Sequence, residues 1–168
     1  MLITNMKEEF KVIANLIEEN TRVLDVGCGD GTLMDYLKKN KNIDPRGLEL
    51  SKRKIQESLG KGLSVIEGNA ETDLKQFPDK SFNYAILSQT LQAFYNPEKV
   101  LDELLRVANI AIITIPHFAH INVRLQLLIK GKMPVTKNLP DEWYNTPNLH
   151  MCSTKDFFEF CDKKNLNL

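Results

Sequence analysis

Three glycines at alternate positions suggest that this chain binds a small ligand. Gly27, Gly29 and Gly31 follow an apolar run that contains Asp25, and a stretch with helical spacing comes after them. Glycine tolerates positive φ angles and lets the backbone approach a ligand closely. The first turn of the following helix presents free N–H groups and a partial positive charge to an anionic group. The spacing therefore predicts a small ligand held by backbone amides.

An acidic residue farther along the chain narrows the kind of ligand. The dinucleotide fingerprint G-x-G-x-x-G fails, because its sixth position, counted from Gly27, is Thr32. Glu49 ends the second predicted strand, 20 residues after Gly29. A carboxylate at that point can hold both hydroxyls of an adenosine ribose. The alternative is a tight strand–helix turn beside an exposed Glu49, with no ligand.

The elements that must position these residues alternate between strands and helices. Several of the predicted strands are continuously apolar, which is typical of a parallel sheet covered on both faces. The sequence therefore predicts an α/β fold with a mostly parallel sheet flanked by helices. A first helix is expected from Thr4 to Asn20, with Thr4 or Asn5 as its cap. The predicted strands are Arg22–Val26, Arg46–Leu50, Leu63–Glu67, Phe82–Leu87 and Asn109–Ile115, with helices at about Asp30–Leu37, Ser51–Leu59, Pro97–Val107 and from Ser153 or Thr154 to about Lys164.

The segment at about residues 117–152 breaks this alternation. Its apolar residues between Ile121 and Ile129 fit neither the helical nor the strand period. Residues 131–147 contain three prolines beside Trp143 and Tyr144. A long irregular insertion in a compact α/β domain predicts a lid or a contact surface. Helix–loop packing without a ligand role is the alternative.

Composition excludes several function classes. The 168 residues are 42% hydrophobic, enough for the core of one domain over residues 1–168. Lys plus Arg equal Asp plus Glu at 22 each, without the basic excess of most nucleic-acid-binding proteins. No apolar run is long enough to cross a bilayer. Cys28, Cys152 and Cys161 form no disulfide or metal pattern, which predicts free thiols in a reducing cytoplasm and no metal site.

The motifs VLDVGCGDG, GLEL and GNAE resemble the successive cofactor motifs of class I S-adenosylmethionine-dependent methyltransferases. The resemblance implies a Rossmann-like methyltransferase fold that binds S-adenosylmethionine or its product S-adenosylhomocysteine. The glycine loop would hold the methionine end, with Asp25 near its ammonium group, and Glu49 would take the ribose. Asn69 and Ala70 would meet the adenine, where many family members carry an aspartate instead of Asn69. The positions assigned to the cofactor are Asp25, Gly27, Cys28, Gly29, Gly31, Glu49, Leu50, Asn69, Ala70 and Ser88, although packing alone accounts for Cys28.

A narrower resemblance covers nearly the whole chain, including its irregular segment. ILSQTLQAF, VRLQLLIKGKMPVTKNLPDEWYNTPNLH and KDF strongly resemble the MetW family of methionine-biosynthesis proteins. That resemblance implies association with homoserine O-acetyltransferase, the MetX-type enzyme. Family chains continue into a further strand pair, so the sheet of this chain is expected to lack its C-terminal strand pair.

The sequence leaves methyl transfer open. Ser88, Gln89 and the polar residues after them are poor general bases at neutral pH. His117, His120 and His150 are the nearest candidate bases, and ordinary hydrogen bonding is the favoured explanation for them. No catalytic residue is therefore assigned.

Three functions remain. The first is a ligand-binding protein that modulates a homoserine acyltransferase. The second is a stand-alone small-molecule methyltransferase whose Trp143–Tyr144 segment closes over a methyl acceptor. The third is a membrane-surface module using Arg124, Lys130, Lys132 and Lys137, for which a solvated edge beside core leucines is the favoured explanation.

Overall fold

The computed structural model describes residues 6–136 and 139–168. The predicted cap at Thr4 or Asn5 and the side chain of Lys137 lie outside the described residues. The chain divides into two compact units. The first contains the chain up to Ser88 together with Asn96–Ile113, and the second contains Gln89–Tyr95 and Thr114–Leu168.

Strands and helices alternate through the first unit, as the sequence predicts. Its helices are α1 (Met6–Leu16), α2 (Thr32–Lys41), α3 (Lys52–Gly60), α4 (Ala70–Asp73) and α5 (Pro97–Val107). The strands are β1 (Arg22–Val26), β2 (Asp44–Glu49), β3 (Ser64–Glu67), β4 (Phe82–Ser88) and β5 (Ala108–Thr114). The predicted α/β fold is confirmed, with strand ends that differ from the predicted ones by one or two residues.

The five strands form one sheet in the order β3-β2-β1-β4-β5. The pairs β1–β2, β1–β4 and β2–β3 are parallel. The chain leaves β1 toward β2 and β3 and then crosses to β4 on the other side of β1. In open parallel sheets the usual ligand site lies at the carboxyl ends of the two strands where the direction reverses, which here are β1 and β4.

Helix α5 shows how local sequence positions an element against the sheet. The side chain of Asn96 accepts a hydrogen bond from the Lys99 N–H, and Pro97 occupies the first turn, where its missing N–H costs nothing. The inward face contributes about 1.5–3 kcal/mol for each large aliphatic side chain that it buries. Its buried residues are Val100, Leu101, Leu104 and Val107.

In its described residues the second unit contains two α-helices, α6 (Ile121–Lys130) and α7 (Thr154–Lys163), and a short 3₁₀ helix at Leu91–Ala93. Helix α7 matches its prediction, and a reciprocal pair of hydrogen bonds between Ser153 and Asp156 caps it. Helix α6 was not predicted, because its apolar residues point to two sides. Val123 and Leu127 line a cavity, whereas Leu128 lies outside its lining. Leu127 and Leu128 are both exposed, at 47% and 81%. Two apolar faces blur the helical period.

Candidate functional site

The carboxyl ends of β1 and β2 bring the candidate residues together. Asp25 pairs with Gly47 of β2 on one side and with Ile86 of β4 on the other. Glu49 is the last residue of β2, and Ser88 is the last residue of β4. Parallel pairing therefore places all three at the same edge of the sheet, where the sequence predicted the ligand.

The glycine loop after β1 depends on left-handed backbone. Gly27, Gly29 and Gly31 have φ angles of 71°, 59° and 74°, which cost other residues roughly 1–2 kcal/mol each. The Gly27 N–H donates to the Leu48 carbonyl at 2.8 Å. The Gly31 N–H donates to the Cys28 carbonyl at 3.0 Å, closing a turn before α2. Each predicted glycine thus meets a conformational need.

Glu49 joins the loop to the end of β2. Its Oε2 atom accepts a hydrogen bond from the Gly29 N–H at 2.9 Å. Its Oε1 atom accepts from the N–H groups of Leu50 at 3.0 Å and Ser51 at 2.8 Å. The residue is 8% exposed, so the exposed-carboxylate alternative does not describe it. A carboxylate held in this way retains acceptor capacity for ligand hydroxyls.

Asp25 is buried at the centre of the sheet edge, with 2% of its surface exposed. Burial, and secondarily the nearby charge of Glu49, raises the pKa of the Asp25 carboxyl to about 7. A positively charged group placed beside it would favour its ionised form. The two carboxylates suit a ligand with an ammonium group and hydroxyl donors, whereas the N–H groups of Gly27, Gly29 and Gly31 already donate to acceptors of the protein.

The residues after β3 form a short, self-capped turn. Asn69 caps α4 by accepting from the Glu71 N–H at 2.9 Å, and its own N–H donates to the Asp73 carboxylate at 2.8 Å. Ala70, the first residue of α4, is buried. The Gly68 N–H donates to the Glu49 carbonyl at 3.0 Å, which ties this turn to the end of β2. The side-chain oxygen of Asn69 keeps a second lone pair for a ligand donor.

Two of the residues assigned to the cofactor, Cys28 and Leu50, differ in burial: Cys28 is buried and Leu50 is exposed. Cys28 packs with Met34 and Leu63 in a small buried cluster. Burial raises the pKa of its thiol to about 12, so the thiol stays protonated. Leu50 lies next to Glu49 and is exposed. Packing is therefore the role that the structure gives to the Cys28 side chain.

Three contributions to the site escaped the sequence analysis. Ser58 of α3 is fully buried and donates to the Gly29 carbonyl at 3.1 Å. Its position three residues after buried Ile55 was the available signal for an inward-facing residue. Lys61 donates to the Asp30 carboxylate at 2.9 Å, and hydrogen bonds from Thr32 and Lys61 lower the pKa of Asp30 to about 2.

The third contribution comes from α1. The Ser88 hydroxyl donates to the Glu9 carboxylate at 2.8 Å. Helix α1 therefore reaches the end of β4, and Glu9 adds a carboxylate to this edge of the sheet. No local pattern in the sequence pairs two residues so far apart.

The candidate bases belong to the second unit, where hydrogen bonds account for two of them. His120 Nδ1 accepts from the Asn122 N–H and caps α6. His117 Nδ1 accepts from the Thr154 N–H at 3.3 Å. In residues 6–136 and 139–168, no three His, Cys, Asp or Glu side chains lie close enough to hold a metal ion. No helix within the described part of the chain has the length and apolar character to span a membrane.

A protein family, curated protein sequences and solved structures were each found to be similar to this chain. The family described as methionine biosynthesis protein MetW matches residues 7–168. The bifunctional methionine biosynthesis protein MetXA/MetW of Rhodopirellula baltica is 31% identical over 171 residues, covering 96% of this chain. The match covers 27% of that protein, so the chain spans about a quarter of this relative's length.

Two solved structures show the same fold at low sequence identity. A methyltransferase from Thermotoga maritima, described as S-adenosylmethionine-dependent and a possible histamine N-methyltransferase, gives a TM-score of 0.67 at 23% identity. That match covers 92% of this chain and 68% of the other. An S-adenosylmethionine-dependent methyltransferase from Archaeoglobus fulgidus gives a TM-score of 0.69 at 18% identity, covering 94% and 66%. These structures establish a methyltransferase-type fold.

Proposed function

The chain belongs to the MetW family of methionine biosynthesis proteins, and from this premise we propose that it binds S-adenosylmethionine or S-adenosylhomocysteine and acts with a homoserine O-acetyltransferase. Ligand occupancy would report the supply of the pathway's downstream product and modulate the acyltransferase. The proposal includes one methyltransferase-like domain over residues 1–168 and, from the free thiols, a cytoplasmic location.

The arrangement of Glu49 carries the ligand half of the proposal. Its carboxylate is fixed by the amides of Gly29, Leu50 and Ser51 at the end of β2, and in our proposal it accepts hydrogen bonds from the two hydroxyls of the ribose. Asp25 would face the ammonium group of the methionine moiety, which would lie beside the glycine loop. Asn69, Ala70 and Leu50 would surround the adenine, with Ser88 at the far side of the site.

The partner half draws support from the relative in Rhodopirellula baltica. That protein joins a MetXA part and a MetW part in one chain. Parts that work together are often joined covalently in some organisms, because the linkage raises their effective concentration. We propose that this chain forms the corresponding contact as a separate protein.

Purification from the native cell extract tests the partnership. The tagged full chain is recovered with and without added S-adenosylmethionine, from cells shown to express homoserine O-acetyltransferase, and the co-purifying proteins are identified. Recovery of that enzyme is expected, with an amount or activity that changes across a saturating ligand titration. Its absence under both conditions would overturn the partnership, and unchanged activity across the titration would overturn modulation by the ligand.

The alternative function is a stand-alone S-adenosylmethionine-dependent methyltransferase acting on a small molecule. The fold shared with the two solved methyltransferases favours it. Steady formation of S-adenosylhomocysteine with a pathway metabolite would support this alternative. Variants of His117 or His120 would then lower turnover without abolishing ligand binding.

A further inference from the structure

A cavity of about 330 Å³ lies within the second unit and uses none of the residues proposed for the adenosyl ligand. Its volume is at the lower end of the range for small-molecule sites. Val123 and Leu127 of α6 form part of its lining, together with Phe118, Trp143 and Met151. Apolar and aromatic side chains thus provide most of a surface that can bury one ring-sized group.

Hydrogen bonds hold the segments around this cavity in place. The Phe118 N–H donates to the Cys152 carbonyl at 3.3 Å, which joins two lining segments far apart in the chain. The N–H groups of Leu149 and His150 donate to the Gln92 carbonyl at 2.9 and 3.0 Å. These contacts hold the irregular segment that carries Asn148 and Met151, so the cavity is a built feature of the unit.

The charged side chains among the described lining residues of the cavity are both acidic. Asp141 and Asp156 line it, and none of its described lining residues is Lys, Arg or His. The backbone N–H and the hydroxyl of Ser153 both donate to the Asp156 carboxylate and lower its pKa, so it keeps its negative charge in weak acid. An anionic guest would meet two carboxylates and, among the described lining residues, no basic side chain.

An aromatic face adds to the same preference. Trp143 lies edge-on to Tyr144 and also lines the cavity. A tryptophan face attracts cations through its ring quadrupole, more strongly than the other aromatic side chains do. Apolar walls, two carboxylates and an indole together select a guest with an apolar body and a positive head.

We propose that this cavity binds a small organic cation, an amine with a ring-sized apolar body, as a ligand separate from the adenosyl ligand. Its volume of about 330 Å³ suits a small molecule, and its carboxylates disfavour acids of the same size. The proposal goes beyond the proposed function and does not depend on it. Binding would occur whether or not the sheet edge holds an adenosyl ligand.

Trp143 provides the readout, because it is the only tryptophan of the sequence. Its fluorescence is followed in the full chain during titration with three probes of similar size: 2-phenylethylammonium, 2-phenylethanol and phenylacetate. We expect saturable binding of the ammonium probe, about threefold to tenfold weaker binding of the alcohol, and no saturation with the acid. Equal binding of all three probes, or saturation by none, would overturn the proposal.

Two matched variants locate the charge effect. Asp141→Asn removes an exposed carboxylate from the cavity wall, and Asp162→Asn removes one from α7 outside the lining. The first should reduce the preference for the ammonium probe over the alcohol severalfold, and the second should leave it unchanged. Val123→Phe fills part of the cavity and should weaken binding of the ammonium probe. If Asp141→Asn keeps the wild-type preference and Val123→Phe binds the ammonium probe as wild type does, the probe binds outside this cavity.

Discussion

The Glu49 carboxylate accepts a hydrogen bond from the Gly29 N–H across 2.9 Å and so links the loop after β1 to the end of β2. The amides of Leu50 and Ser51 hold its other oxygen. Because three donors fix the carboxylate, little side-chain freedom remains to be lost on binding a ligand. Such preorganisation reduces the entropic cost of association.

Glu49→Ala should weaken binding of S-adenosylhomocysteine by about 1–3 kcal/mol, the scale of hydrogen bonds to a charged group. Isothermal titration calorimetry measures the affinity directly. Glu67→Ala is the matched control, because Glu67 ends β3 and its carboxylate pairs only loosely with Lys52, at 3.8 Å on the surface. Unchanged affinity in Glu49→Ala would remove this carboxylate from the ligand site.

The stability of the chain should fall as pH rises from about 4 to 7 because of Asp25. Burial raises the pKa of this carboxyl to about 7, so in that window the folded chain retains a proton that the unfolded chain has released. The loss is at most about 1.4 kcal/mol per pH unit, and the contribution is flat above pH 7. Urea unfolding of wild type and Asp25→Asn at several pH values tests this. Parallel pH profiles for the two proteins would contradict it.

Binding of S-adenosylhomocysteine should tighten as the pH rises toward about 7 and level off above it, and below pH 7 it should release a proton from Asp25. An ammonium group beside Asp25 favours the ionised carboxylate, so the ligand lowers a pKa that burial has raised to about 7. Calorimetry in two buffers of different ionisation enthalpy measures the released proton. Asp25→Asn serves as the comparison and should show no such release. Proton uptake by the wild type would place the ammonium group elsewhere.

Alanine at two glycines of the loop should destabilise the chain to different extents. A Cβ at Gly31 would lie 2.5 Å from Leu63 Cδ1 and 2.8 Å from Ser58 Oγ, whereas a Cβ at Gly29 meets nothing within 4 Å. Gly29→Ala should therefore cost only the roughly 1–2 kcal/mol of left-handed backbone. Gly31→Ala should cost about 2–5 kcal/mol, because overpacking is added. Denaturant unfolding ranks the two, and equal losses would show that Leu63 and Ser58 move aside.

Arg106 should matter far more to stability than an arginine on the surface. Its guanidinium donates to the carbonyls of Leu74 at 3.0 Å and Phe77 at 2.9 Å, and so joins α5 to the segment before β4. Arg106→Ala should cost about 1–3 kcal/mol, since these carbonyls lose charged donors. Arg53→Ala, which removes an exposed pair with Glu57 within α3, should cost about 0.5 kcal/mol or less. Thermal unfolding compares the two variants, and similar losses would contradict the assignment to Arg106.

The sequence by itself determined the fold class and the location of the glycine loop. Alternating apolar runs and helical periods are local patterns, so the five strands of an α/β sheet could be predicted to within one or two residues. The three glycines and the distance to Glu49 likewise lie within one strand–helix–strand unit. Helix α6 was missed because its apolar side chains face two ways, which no single period describes.

Only the tertiary structure decided which distant residues meet. The strand order β3-β2-β1-β4-β5 brings Ser88 to the edge that also carries Asp25, and α1 adds the Glu9 carboxylate to it. The Ser58 hydroxyl donates a hydrogen bond to the Gly29 carbonyl. The Phe118 N–H donates one to the Cys152 carbonyl in the lining of the cavity of the second unit. Contacts of this kind depend on the free energy of packing the whole chain. Local propensity carries no information about them, because it depends only on neighbours in sequence.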